Sequence, residues 1–194
     1  MKYNTKESTI KVDWYFDFIS PFAYLQWAHQ LPRLENVELE LKPLLFAGLL
    51  KHWGHKGPAE IPGKRRFVYR QTLWMAQRLE VPLRIPNSHP FNPLPLLRLS
   101  LARHNDRDIV DRLFAFVWRD GCVPQDPRAW RRLCNDLDVT DAELADPAVK
   151  QRLLDNGEEA IAKGVFGVPT LVTGGEPFWG VDAFDFFVDY LDNP

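Results

Sequence analysis

The sequence predicts an α/β fold: a β-α-β unit near the start, a β-β-α unit at the end, and a long helical stretch between them. Three observations predict it. Val12, Trp14, Phe16 and Phe18 alternate with Asp13, Tyr15 and Asp17, and past Ser20-Pro21 the apolar period changes from two to about 3.6. Residues 64 to 163 carry helical periodicity and helix caps, with no strand pattern. The chain then returns to a short apolar strand, a Gly-Gly turn and a second strand.

Residues 1 to 9 read as a frayed lead-in. At the end of the first strand Ser20 is placed to cap a helix with its hydroxyl, and Pro21 suits the first helical position because its missing N–H has no helical partner. Tyr24, Trp27, Ala28, Leu31 and Leu34 continue that helix. A strand running into a helix N-terminus focuses free N–H groups and the helix dipole on one point, an anion site, and Ser20 sits there. Val37, Leu39 and Leu41 alternate with charged residues in a second strand, which the intervening helix makes parallel to the first. A turn of helix from Phe46 to His52 and a Gly/Pro-rich loop follow.

The next helix spans Lys64 to Glu80, with Phe67, Val68, Leu73, Met75, Ala76 and Leu79 expected on its buried side. After the proline-rich 81–95, Asn92, Asp106, Asp126, Thr140 (with Glu143, a capping box) and Asp146 each start a further helix. Gly167 to Val172 forms a strand, Gly174-Gly175 the turn, Pro177 to Trp179 the returning strand, and Asp182 caps a closing helix bearing Phe184, Phe187, Val188 and Leu191. That order is a thioredoxin-like fold with a large all-helical insertion. Residues 10–50 plus 164–194 are the expected thioredoxin-like domain, and 51–163 the insertion domain.

Composition excludes several classes. A net charge of −2 gives no drive toward nucleic acid or an anionic membrane, and no stretch reaches the apolar length of a membrane span. Cys122 and Cys134 form no Cys-x-x-Cys pair, so a cytoplasmic protein with incidental thiols is expected. His52 and His55 lack the cysteine or carboxylate that would complete a metal site, and no Gly-x-Ser-x-Gly elbow supports a hydrolase.

Phe16-Asp17-Phe18-Ile19-Ser20-Pro21-Phe22-Ala23-Tyr24-Leu25 resembles the first-strand signature of the 2-hydroxychromene-2-carboxylate isomerases, which belong with the kappa-class glutathione transferases in the DsbA-like thioredoxin-fold group. Gly164 to Thr170, then Phe178-Trp179-Gly180 and Asp182, carry a second match. The Pro43–Arg70 region, with Gly54, Pro58, Lys64, Arg65 and Tyr69, carries a looser third.

The resemblance implies a glutathione-dependent cis-trans isomerase acting on a small aromatic substrate, in which a bound thiolate adds reversibly to a conjugated system. Where DsbA-like oxidoreductases place a reactive cysteine pair, this chain has Ser20 and Ala23, so its own residues cannot exchange disulfides there. Ser20 is then the catalytic hydroxyl that hydrogen-bonds the glutathione sulfur. Such a charge-assisted bond contributes roughly 1.5–3 kcal/mol, about one to two units of thiol pKa. Val168 with a cis Pro169 would pair with the extended tripeptide, Asp182 would receive its α-amino group, and Lys64 or His55 would face carboxylates. Phe22, Trp53, Phe91 and Trp179 are the expected substrate walls, and a homodimer is expected.

Plainer readings stand beside these: Asp182 as a helix cap, Lys64 in a solvated Lys64-Arg65-Arg66 face. The chain also departs from the family pattern. His55 stands where an asparagine is usual, and Val181 where relatives carry serine, which bears on the substrate more than on the fold. The alternatives are a kappa-like transferase or peroxidase that consumes glutathione, and a non-catalytic peptide-binding thioredoxin-like module.

Overall fold

The structure, a computed structural model, describes residues 9–192, so most of the expected lead-in lies outside the described residues. Four strands form one mixed sheet in the order β2-β1-β3-β4. β1 (Ile10–Phe16) runs parallel to β2 (Val37–Pro43), with Trp14 opposite Leu41. β3 (Thr170–Thr173) pairs antiparallel to β1, and β4 (Glu176–Trp179) antiparallel to β3 through the Gly174-Gly175 turn.

β1 is central and is buried on both faces toward its Ser20 end. The alternation of Asp13, Tyr15 and Asp17 with apolar residues therefore does not mark a solvent face: Tyr15 and Asp17 are fully buried. The reason lies in two helices that the local pattern cannot show. α2 (Phe46–His52) and α8 (Pro147–Ala162) cover that side, where Tyr15 packs with Leu44, Leu49, Ala160, Val165, Val168 and Val172.

On the other face the sheet meets the helical middle of the chain. Phe114, at the end of α5 (Arg107–Phe114), lies 4.7 Å from Phe18, 5.7 Å from Phe16 and 6.1 Å from both Trp14 and Trp27 by ring centroids. α4 (Leu94–Ala102) adds Leu96, Leu97, Leu99 and Leu101 to the same continuous core. Caps fall where short polar side chains precede the helices. Asp106 starts α5, Asp126 starts α6 (Pro127–Asp136) and Asp146 starts α8, each accepting from free backbone N–H groups. Thr140 and Glu143 form the capping box of α7 (Asp141–Ala145).

Three expectations change. The helix after Ser20 is not uniform: α1 (Pro21–Leu25) passes into a π-turn, Gln26–Gln30, and then a 3₁₀ turn, Leu31–Arg33. α3 (Pro62–Arg78) buries Thr72 and Ala76 but leaves Phe67 (64%), Leu73 (46%) and Trp74 (58%) exposed. It packs by one narrow face, on which Ala76 meets Leu25 and Val181, so only part of its apolar set turns inward. Finally, α9 (Phe184–Asp192) begins two residues after Asp182, and its first backbone bond runs from Phe187 N–H to Ala183 O. Asp182 thus precedes the cap position.

Candidate active site around Ser20

The turn from Asp17 to Ser20 is held at nearly every polar group. Asp17 accepts from the N–H groups of Ile19 (3.1 Å) and Phe46 (2.9 Å), and its carbonyl accepts from Ser20 N–H (3.0 Å). Trp118 Nε1–H donates to Phe18 O at 2.8 Å. His89 Nε2 lies 2.9 Å from Ile19 O. A carbonyl can only accept, so Nε2 carries the proton and Nδ1 accepts from the Tyr69 hydroxyl at 2.6 Å. Arg65 extends this chain, donating to Tyr69 Oη and to His89 O.

Burial sets the charge state of these groups. It pushes the Asp17 carboxyl up to about 7, against the two N–H bonds, which favour the anion. It lowers the His89 pKa, a shift that the Ile19 carbonyl opposes and Arg65 reinforces, so His89 is neutral at pH 7.

Ser20, 7% exposed, closes the turn as the N-cap of α1. Its Oγ accepts from Ala23 N–H at 3.2 Å and lies 3.5 Å from Val168 O, toward which its own hydrogen points. The Val168-Pro169 bond is cis. The loop before it is clad in aromatic rings: Trp53 Nε1–H donates to Val165 O at 3.0 Å, and Phe166 meets Trp179 at 5.1 Å between centroids. A Cβ on Gly167 would lie 2.4 Å from Trp179 Nε1, so the indole needs glycine beneath it. Gly180 N–H donates to Pro169 O at 2.9 Å, which ties the segment carrying Asp182 to the same loop.

The structure thus joins Ser20, Val168, Pro169, Trp53, Trp179 and Asp182 through a continuous set of contacts. Phe22 is half-buried on α1, against the Leu25, Ala76 and Val181 cluster. Phe91 lies in the main core at 8% exposure, 6.0 Å from His89, rather than on an open wall. His55 and Lys64 are exposed, the latter in the first turn of α3. Sequence reasoning missed His89 and Trp118, which brace the Ser20 turn from far along the chain, and it named Tyr69 only within the looser match, without its bond to His89. It also missed Gln26 and Gln30, whose amides reach Gly180 O and Val181 O. The one local signal was two glutamines four apart in an otherwise apolar helix. Among the described residues no group of His, Cys, Asp and Glu is arranged to hold a metal ion.

A serine-capped helix opposite a cis-proline loop on a four-stranded sheet is the arrangement of a thioredoxin-type site. The chain belongs to the DSBA-like thioredoxin domain family, whose profile matches residues 11–192. Within it the chain falls in the group of 2-hydroxychromene-2-carboxylate isomerases and kappa-class glutathione transferases. It is 29% identical to a 2-hydroxychromene-2-carboxylate isomerase of Sphingobium xenophagum, covering 94% of this chain and 98% of that protein. It is 28% identical to a glutathione S-transferase kappa 2 of Caenorhabditis elegans, covering 94% and 92%. A solved structure of 2-hydroxychromene-2-carboxylate isomerase superposes with a TM-score of 0.80 at 23% identity, covering 94% of this chain and 95% of that one.

Proposed function

We propose that the protein is a glutathione-dependent cis-trans isomerase of the 2-hydroxychromene-2-carboxylate isomerase type, acting on a small conjugated aromatic substrate. One observation carries this reading: a hydroxyl, not a thiol, caps α1 beside the Val168 carbonyl. The chain's own sulfurs are elsewhere. Cys122 and Cys134 are unpaired in the helical insertion, with thiol pKa values pushed up by burial. A site of this geometry suits a sulfur anion brought in from outside.

The donor set suits a tripeptide thiol. Ser20 offers one hydroxyl hydrogen at the N-terminus of α1, now aimed at Val168 O across a long 3.5 Å contact and free to turn to a better acceptor. Val168 N–H has no backbone partner among the described residues, which suits an added strand. Asp182, exposed, accepts no hydrogen bond among the described residues and suits an ammonium. Lys64 makes no ion pair among them and suits a carboxylate. Bound glutathione supplies the thiolate nucleophile for reversible addition to the substrate. Ser20 stabilises the thiolate over the thiol, Val168 and Asp182 orient the peptide, and Trp53, Trp179 and Phe22 exclude water and bind the aromatic part.

The similarity to the Caenorhabditis elegans protein favours a kappa-like transferase as the second reading. Net consumption of glutathione with an electrophile would select it, and turnover without consumption selects the isomerase. The exposed Phe67 and Trp74 rings on α3 support a homodimer, and two unpaired cysteines accord with a cytoplasmic setting. Calorimetric titration with glutathione, followed by isomerisation assays on 2-hydroxychromene-2-carboxylate, tests the reading. Absence of glutathione binding overturns it.

A further inference from the structure

Gln26 and Gln30 hold the segment that carries Asp182. Gln26 is fully buried, and its amide is fixed at both ends. Trp14 Nε1–H donates to its Oε1 at 2.7 Å, while its Nε2 donates to Gln30 Oε1 at 3.2 Å and to Gly180 O at 3.4 Å. Gln30 Nε2 donates in turn to Val181 O at 2.7 Å. The two carbonyls immediately before Asp182 are therefore both taken by side-chain amides from the π-turn after α1.

The other side of the segment is equally fixed. Gly180 N–H is engaged by Pro169 O at 2.9 Å. Gly180 has φ +89°, and a Cβ there would lie 2.7 Å from Asp182 Oδ1. The Asp182 carboxylate is thus folded back over Gly180, against the residue that touches the cis-proline loop. Gln26 also satisfies the Trp14 indole, whereas both ends of the Gln30 amide serve the bracket itself, one accepting from Gln26 and the other donating to Val181 O. Burying an amide is unfavourable unless its hydrogen bonds are made, and here they are made to the segment in question. The wider π-turn lets both amides face one way while Trp27 and Leu31 stay buried.

We propose that Gln26 and Gln30 form a bracket that positions the Asp182 carboxylate against the Val168-Pro169 loop, and so sets recognition of the ammonium end of the ligand, the α-amino group of its γ-glutamyl residue. This rests on the glutathione reading above. Both glutamines are positioning residues, acting through Asp182.

The test is a calorimetric cycle with glutathione on the wild type, Gln30→Met, Asp182→Asn and the double variant. Glutaryl-cysteinylglycine, which is glutathione without its ammonium group, serves as the second ligand. Gln30→Met weakens glutathione binding about tenfold, the loss of roughly one charge-assisted contact. It changes binding of the deaminated ligand by less than about twofold and adds nothing in the Asp182→Asn background. Unchanged glutathione affinity, equal losses for both ligands, or losses that add to those of Asp182→Asn overturn the bracket alone. A wild type that binds neither ligand overturns the glutathione reading, and the bracket's role with it.

Discussion

Ser20 Oγ and the Val168 carbonyl oxygen lie 3.5 Å apart across 148 positions of sequence. The contact joins the start of the chain's first helix to the last loop before the hairpin, with the whole helical insertion between them. It is long for an O–H···O bond, so the hydroxyl hydrogen is held loosely, in a turn whose backbone is held tightly. That contrast suits a group whose task is to give its hydrogen to something else.

Asp17 makes stability depend on pH. Its folded pKa, about 7, is above the ordinary 3.8, so the folded state holds the proton more tightly between those values. The stabilisation it contributes is complete below pH 3.8 and is lost as pH rises through 7, at a slope of up to about 1.4 kcal/mol per pH unit. Carbon-13 NMR of the Asp17 carboxyl should give a midpoint well above 5. A midpoint below 4 would show that the Ile19 and Phe46 N–H groups outweigh burial.

His89 acts in the opposite sense. Its pKa is lowered from 6.5, so its contribution is complete above that value and is lost as pH falls through the lower, folded pKa. His89→Phe keeps a ring beside Trp118 but removes the bonds to Ile19 O and Tyr69. It should cost about 1–3 kcal/mol at pH 7 and flatten the acid limb of the stability profile. Chemical denaturation at several pH values checks both, and an unchanged acid limb would assign that limb to other groups.

Phe114 joins the insertion to the sheet. Removing its ring in Phe114→Ala leaves a cavity among Trp14, Phe16, Phe18 and Trp27, at a cost of about 3–5 kcal/mol. A midpoint shift in urea worth less than about 1 kcal/mol would mean that the two halves of the core are not packed as one.

Gly180→Ala should be damaging although the side chain added is small. It forces an alanine to φ +89° and drives a Cβ toward Asp182 Oδ1, costing about 1–3 kcal/mol and moving the carboxylate. Glutathione affinity should fall with stability. Full affinity would show that Asp182 finds its place without help from residue 180.

Much of the fold was legible in local signals, first of all in residues 12 to 25. The period change at Ser20-Pro21, the caps at Asp106, Asp126, Thr140 and Asp146, and the Gly174-Gly175 turn are local signals, and the elements they announce are present. What could not be read was set by distant contacts. Asp17 occupies a position of alternation that suggests solvent, yet helices from two other parts of the chain bury it. Phe67 and Leu73 have the spacing of a buried face, but α3 meets its neighbours along the small side chains Thr72 and Ala76 instead. His89 and Trp118 reach the Ser20 turn only after folding, and no local periodicity marks them. The spacing of Gln26 and Gln30 is visible in the sequence, but their partners, Gly180 O and Val181 O, are not.

The role proposed for Ser20 is to lower the pKa of a borrowed thiol. Ultraviolet titration of the thiolate of glutathione bound to the wild type and to Ser20→Ala tests it most directly. The bound-thiol pKa should be about one to two units higher in the variant, with glutathione still bound. Equal pKa values in the two proteins would contradict it.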